Sequence, residues 1–275
     1  MELEVLPGLV LDVFDDARLE SLGTQAGEGR RVAVVGEERA GVLRVRLRED
    51  AYTGFVRADR LKASAAPARA PPAHRPRASD ARQAADAATD AALALARTCG
   101  GYLWGGAAKD GAAGLDCSGL VQVAFAVGAG WWVPRDAWMQ ENYCAAVSAA
   151  DVRRGDLVFF GNGKRGATHV GFVVDVDDAA SAGLASDSAP SVLYLHCSGY
   201  DIGRGGCGID AYPSGAGTSM GRLGIGRPGW QRSEGQAADD DGGGGVGSRY
   251  APLMRGFGRV GAPLDQPAHA SAWNG

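Results

Sequence analysis

The chain has 275 residues, of which 45% are hydrophobic and 22% are charged, a composition typical of folded proteins and not of disordered ones. Its formal net charge is −4 and it contains no dense basic block, so we expect no nucleic-acid partner. No apolar run is long enough to span a bilayer, so we expect no membrane association.

Five cysteines, an odd number, are spaced irregularly along the chain, at positions 99, 117, 144, 197 and 207. The first 13 residues include Glu2, Glu4 and Asp12 and lack the basic segment of a secretory signal. Both features favour reduced thiols in a cytoplasmic protein.

Residues 1–62 are predicted to form short strands. Apolar and charged residues alternate over 43–48, as in a half-buried strand, and residues 31–35 and 54–57 resemble further strands separated by turns. A small antiparallel β-barrel is the architecture that this pattern favours. Residues 63–78 are rich in Ala, Pro and Arg and are predicted to be an extended linker.

A second domain is predicted over residues 79–262. It begins with Ser79 or Asp80 as a helix cap and a helix that ends at Gly100-Gly101. Helices come first and strands follow, which indicates an α+β domain with an antiparallel sheet. Ala-, Ser- and Gly-rich compositions predict inserted loops at 177–191 and 213–248, and residues 263–275 are predicted to be a flexible tail.

The most informative segment is Asp116-Cys117-Ser118-Gly119, which lies between a glycine-rich turn and an apolar run with helical spacing. Cys117 is therefore expected at a helix N-terminus, where backbone N–H groups and the helix dipole favour a thiolate. His169 and His196 follow at predicted strand positions. A cysteine with downstream histidines suggests a papain-like nucleophile.

Six motifs in this order resemble the NlpC-type cysteine peptidases of bacterial cell-wall metabolism. They are Tyr102-Leu-Trp104-Gly105-Gly106, Asp116-Cys-Ser-Gly119, Pro134-Arg-Asp136, Gly155-Asp-Leu-Val-Phe-Phe160, Thr168-His-Val-Gly171 and His196-Cys-Ser-Gly199. The resemblance implies a papain-like α+β domain. Residues 22–26 and 48–55 are similar to the bacterial SH3-like domain that precedes the peptidase in one branch, the cyanobacterial-type γ-D-glutamyl-L-diamino acid endopeptidases.

The resemblance implies a role for each matching residue. Cys117 would be the nucleophile, His169 its general base and His196 the residue that orients His169, with Tyr102 assisting at the oxyanion. Asp136 would bind the α-ammonium of a muropeptide with a free N-terminal L-Ala. The other residues implied in substrate binding are Arg135, Asp116, Ser118, Glu49, Asp50 and Tyr52.

We expect Trp104 to pack in the core, no cofactor to be needed, and the other four cysteines to have no role. Three alternatives stay open from the residues. The second domain could be an inactive module that only binds wall peptides, Cys117, His169 and His196 could ligate a metal, or the thioester could be captured by an amine or alcohol instead of water.

Overall fold

The computed structural model describes residues 2–68, 77–109, 111–177, 191–200, 205–212 and 250–264. Within these ranges the chain forms a mixed α/β structure with two antiparallel sheets and four α-helices. The predicted loops at 177–191 and 213–248 and the predicted tail lie almost wholly outside them. The described helices are α1 Ala58–Ser64, α2 Ala81–Thr98, α3 Cys117–Ala124 and α4 Ala137–Tyr143, and a π-helical turn Phe125–Ala129 extends α3.

The first sheet has seven strands in the order β3-β2-β6-β5-β4-β1-β7. Its strands are β1 Glu2–Val5, β2 Leu11–Phe14, β3 Leu22–Ala26, β4 Arg31–Val34, β5 Val42–Leu47, β6 Thr53–Arg57 and β7 Ala65–Pro67. Among the described residues the edge strands β3 and β7 do not pair, so the sheet stays open and does not close into the barrel that the sequence predicts. Strand β7 also shortens the predicted linker, because its Pro67 pairs with Leu3 of β1. Proline has no backbone N–H to donate, and an edge strand tolerates this loss.

Helix α2 begins where the sequence predicts it. The Asp80 side chain accepts a hydrogen bond from the backbone N–H of Gln83 and so caps the helix. Ala84, Ala88 and Ala92 recur on one face and are buried against the rest of the core.

The second sheet has six strands in the order β12-β11-β10-β9-β13-β8. They are β8 Ala145–Val147, β9 Leu157–Phe160, β10 His169–Asp177, β11 Ser191–Ser198, β12 Gly206–Tyr212 and β13 Met254–Arg259. The α3 segment packs against this sheet, with the Phe125 and Phe172 rings stacked at 5.6 Å. No helix in the described ranges is both long enough and apolar enough to cross a membrane.

The first sheet is joined to the second half by buried polar contacts. Gln122 of α3 donates to Asp50 Oδ2 at 2.8 Å, and Arg135 Nε donates to Thr24 Oγ1 at 2.9 Å. The side-chain oxygen of Gln25 accepts from the backbone N–H of Ala107. These contacts bring β3 and the β5–β6 turn beside the start of α3.

Candidate active site

Cys117 is the first residue of α3, and Asp116 caps that helix. The Asp116 carboxylate accepts from the N–H groups of Gly119 at 2.6 Å and Gly105 at 2.9 Å. Glycine is required at position 119, because a Cβ there would collide with the carbonyl oxygen of Gly106. The Asp-Cys-Ser-Gly motif thus places the thiol at a helix start that is locked to the preceding loop.

The Cys117 side chain is buried, with 7% of the residue exposed, and it lines a cavity. The backbone N–H of Val170 points at the sulfur, so the thiol lies beside the N-terminal end of β10. Burial and, after it, the neighbouring Asp116 charge raise the pKa of the Cys117 thiol to about 12. Desolvation therefore outweighs the helix-terminus effect that the sequence suggests, and the resting sulfur is a thiol.

Three adjacent strands contribute a chain of hydrogen bonds behind the thiol. His169 Nε2 lies 2.8 Å from His196 Nδ1, and His196 Nε2 lies 2.8 Å from Asp210 Oδ2. A carboxylate only accepts, so His196 donates from Nε2 and its Nδ1 accepts the Nε2–H of His169. This arrangement leaves His169 Nδ1 unprotonated, with a lone pair that can accept a proton.

Burial, followed by the neighbouring His196, lowers the pKa of His169 well below its ordinary value. The raised pKa of the Cys117 thiol and the lowered pKa of the His169 imidazole both favour the neutral forms of these side chains.

Asp210 and Tyr250 belong to the site but the sequence motifs did not indicate them. Asp210 lies on β12 opposite Tyr194, two residues from the position that pairs with His196. The Tyr250 ring stacks on His169 with centroids 4.2 Å apart and an angle of 11° between the planes. Asp210 could have been found from one signal in the sequence, which is a carboxylate among apolar residues in the strand that follows His196. For Tyr250 the sequence offered none.

The cavity in front of the thiol has a volume of about 420 Å³. Six of the site residues predicted from the sequence line this cavity together with Cys117. They are Tyr52, Tyr102, Asp116, Ser118, Arg135 and Asp136. Burial raises the pKa of the Tyr102 hydroxyl above its ordinary value, so that the group stays protonated and able to donate. Trp104 also lines the cavity and is 66% exposed, so the expectation that it packs in the core is wrong.

Arg135 is buried and holds Asp116 and Ser118 in place. Its Nη1 and Nη2 donate to the two Asp116 carboxylate oxygens at 3.0 and 2.6 Å, and Nη1 also donates to Ser118 Oγ at 2.9 Å. Together with the contact to Thr24, these bonds engage all three guanidinium nitrogens. The structure thus gives Arg135, Asp116 and Ser118 partners within the protein.

Among the acidic groups that the structure describes, Asp136 is one whose surroundings disfavour the charged carboxylate. It is largely buried, it lies at the start of α4, and its side chain caps no backbone N–H there. Burial raises the pKa of Asp136 to about 6, with Asp116, Asp15 and Asp50 contributing in the same direction and Arg135 opposing them. A largely buried carboxylate surrounded by other acids is a favourable site for a cation.

The first sheet adds residues to the same cavity. The Tyr52 hydroxyl donates to Asp15 Oδ1 at 2.6 Å, and both side chains line the cavity. Gly23 packs so closely against the Asp15 and Tyr52 side chains that a Cβ at position 23 would collide with both of them. Asp15 and Gly23 were not anticipated from the sequence.

Glu49 and Asp50 are engaged elsewhere. Glu49 accepts from the Arg30 side chain and, at 2.8 Å, from the N–H of Arg31, and it does not line the cavity of Cys117. Asp50 binds Arg30 at 2.8 Å and Gln122, and it lines a smaller adjoining cavity of about 190 Å³. Asp50 thus joins the first sheet to α3, whereas the contacts of Glu49 lie within the first half of the chain.

Residues 100–188 match the NlpC/P60 family. Over 75 residues the chain is 45% identical to the bifunctional muramidase/DL-endopeptidase CwlT of Bacillus subtilis, which covers 26% of this chain and 22% of the relative. It is 42% identical over 79 residues to the peptidoglycan endopeptidase RipB of Mycobacterium tuberculosis, covering 25% of this chain and 32% of the relative. It is also 40% identical over 75 residues to a γ-D-glutamyl-L-lysine dipeptidyl-peptidase of Bacillus subtilis, covering 26% of this chain and 24% of the relative.

Residues 100–188, a part of the predicted second domain, are therefore similar to the NlpC/P60 family. The matched region spans less than a third of each of these three relatives. Among solved structures, an NlpC/P60 family protein from Bacillus cereus ATCC 10987 is 19% identical with a TM-score of 0.38, covering 94% of this chain and 62% of that one.

Proposed function

We propose that this protein is a cysteine endopeptidase that hydrolyses the γ-D-glutamyl–diamino acid bond of peptidoglycan stem peptides with a free N-terminal L-Ala. The observation that carries the proposal is the hydrogen-bonded series His169–His196–Asp210 behind a thiol that lines an acidic cavity. The relatives support the substrate class, since their names describe peptidoglycan endopeptidases and a γ-D-glutamyl-L-lysine dipeptidyl-peptidase.

Cys117 is the nucleophile in this reaction. As its sulfur attacks the γ-carbonyl carbon of D-Glu, the thiol proton passes to Nδ1 of His169, and His196 and Asp210 hold the resulting imidazolium. The oxyanion is stabilised by the backbone N–H of Cys117 at the helix start and by the hydroxyl of Tyr102.

The tetrahedral intermediate collapses when the carbon–nitrogen bond to the diamino acid breaks, and the leaving amine takes the proton from His169. A thioester joins Cys117 to the D-Glu γ-carbonyl. Water then attacks this thioester with His169 as the base, which releases the D-Glu carboxylate and restores the thiol.

Substrate selection depends on the acidic end of the cavity. Asp136 accepts the α-ammonium of L-Ala, because its buried carboxylate lacks a helix-capping partner and lies among like charges. Asp15 and Tyr52 of the first sheet stand at the same end and close the groove beyond the alanine. On this proposal the first sheet corresponds to the SH3-like domain of the cyanobacterial-type branch, and it limits the enzyme to peptides with a free terminus.

The experiment incubates the reduced protein with L-Ala-γ-D-Glu-diaminopimelate and with the same peptide N-acetylated, and it identifies products by mass spectrometry. We expect L-Ala-D-Glu from the free peptide, little product from the acetylated one, and none with Cys117→Ala. Cys144→Ala is the matched control, since Cys144 is a free cysteine that does not line the cavity.

Undiminished cleavage by Cys117→Ala, or no cleavage by the reduced protein, would refute the peptidase proposal. Equal cleavage of both peptides would leave a peptidase but remove Asp136 from substrate selection. Transfer of L-Ala-D-Glu to an added amine in place of water would identify an acyltransferase. Binding without turnover, unchanged in Cys117→Ala, would indicate a binding module.

A further inference from the structure

Three cysteines that the proposed reaction does not use meet on the far side of β11 from His196. Cys99 follows the C-terminus of α2, and Cys197 and Cys207 are paired neighbours on β11 and β12. Their three sulfur atoms all lie within 4.8 Å of one another. All three are free thiols, and Cys197 and Cys207 are buried whereas Cys99 is partly exposed.

The environment of these thiols is polar as well as buried. Cys99 Sγ donates to the carbonyl oxygen of Gly101 at 3.1 Å, and Cys197 Sγ donates to that of Leu115 at 3.1 Å. A cysteine that serves as a small apolar filler needs no such partners. Three sulfurs from separate elements that converge on one point are the donor set of a soft-metal centre.

We propose that Cys99, Cys197 and Cys207 bind one thiophilic divalent cation, of which Zn²⁺ is the physiological example. Three thiolates on a tetrahedral zinc, each about 2.3 Å from the metal, stand about 3.8 Å apart. Small side-chain rotations bring the observed cluster to that spacing. Cys99 is the one partly exposed member of the three, and a water would complete the tetrahedron.

Binding exchanges protons for the metal. One Zn²⁺ and three neutral thiols give a Zn(S-Cys)₃ centre and release three protons to solvent. The centre carries a charge of −1, whereas a monovalent cation would leave −2 in a buried position. The divalent ion is therefore the better match to this donor set.

The position of the cluster gives the site a structural consequence. It ties the end of α2 to β11 and β12, which carry His196 and Asp210, and it contacts Leu115, two residues before Cys117. A cation bound only by the folded protein stabilises it by mass action. It would hold the active-site strands together from behind without contacting the reacting atoms.

The test uses reduced, metal-stripped Cys117→Ala protein, so that the catalytic thiol and its histidines do not compete for the ion. Cd²⁺ is titrated anaerobically, with thiolate-to-metal charge transfer as the readout, and Zn²⁺ is measured by competition with a chromophoric chelator. We expect one equivalent of each, release of about three protons per ion, and a raised Tm. Alkylation mapped by mass spectrometry should show Cys99, Cys197 and Cys207 protected by metal and Cys144 unprotected.

Adding Cys99→Ser should weaken binding at least tenfold, and adding Cys144→Ser should not change it. Each variant is first checked for folding by circular dichroism, and the alkylation map decides the matter if Cys99→Ser does not fold. No stoichiometric uptake would overturn the proposal. It would also be overturned if Cys99→Ser and Cys207→Ser bound the ion as tightly as the Cys117→Ala parent. A disulfide between Cys197 and Cys207 that forms without any metal uptake after reduction would overturn it also. These outcomes are independent of peptidase activity, because the protein tested lacks its nucleophile.

Discussion

Replacing Asp136 by Asn should stabilise the protein while impairing recognition of its substrate. Asp136 is largely buried, lies among Asp15, Asp50 and Asp116, and has its pKa raised to about 6. An unfolded Asp titrates near about 3.9. The folded state therefore binds this proton more tightly, and ionising the group at neutral pH costs folding free energy.

The size of the effect follows from the two pKa values. Each pKa unit corresponds to about 1.4 kcal/mol, so the charged carboxylate destabilises the folded protein by up to about 3 kcal/mol at pH 7. The penalty is complete above the folded pKa of about 6. The penalty declines as the pH falls from the folded pKa towards the unfolded pKa of about 3.9. Below that value it vanishes, because the carboxyl is then protonated in both states. Asn keeps the shape and removes the charge.

The assay is urea unfolding followed by tryptophan fluorescence at intervals from pH 4 to pH 8. Asp136→Asn should have the larger free energy of unfolding at pH 7 and should converge on the wild type near pH 4. It should also raise KM for L-Ala-γ-D-Glu-diaminopimelate far more than for the N-acetylated peptide. The control is Asp90→Asn, whose side chain is 74% exposed and should change stability by less than about 0.5 kcal/mol. A variant that is no more stable at pH 7, or a difference that does not change with pH, would refute the electrostatic reasoning.

Four other perturbations probe the rest of the site. Asp210→Asn should lower kcat by about tenfold or more with little change in KM, because an amide does not fix the histidine tautomers as a carboxylate does; equal kcat would contradict this. Tyr250→Leu should lose the ring stacked on His169 and about 1 kcal/mol of stability, whereas Tyr250→Phe should retain both in thermal unfolding. Arg135→Lys should lower the free energy of unfolding by about 3 to 5 kcal/mol, since a single ammonium does not bridge both oxygens of its buried partner. Because burial lowers the pKa of His169, which must be unprotonated to act as base, the acid limb of kcat/KM should lie below about 6.5.

The local features of this site are readable from the sequence because neighbouring residues determine them. A capping carboxylate, a cysteine and a glycine before an apolar run are sufficient to predict a helix that begins at Cys117. The strands that carry His169 and His196 follow in the same way from their β-branched and aromatic residues. These elements form within about ten residues of chain, where periodicity and capping give a direct signal.

The rest of the site depends on contacts between distant segments. Asp15 and Asp136 face one cavity although they are 121 positions apart in the sequence, and Tyr250 contacts His169 although they are 81 positions apart. The pKa of the Cys117 thiol depends on such contacts in the same way. A helix start is visible in the sequence, but the degree of burial that raises the pKa of the thiol is a property of the packed structure.

The charges around Cys117 connect substrate recognition with nucleophile activation. Asp116 disfavours a thiolate, Arg135 partly offsets it, and the remaining acidic groups leave the cavity with an excess of negative charge. A substrate ammonium bound at Asp136 would bring a positive charge into the same low-dielectric space. That charge lowers the pKa of Asp136 and favours the developing thiolate, because opposite charges stabilise each other most where water is excluded. On the proposed function, a peptide with a blocked terminus supplies no such charge, so it should lose rate as well as affinity.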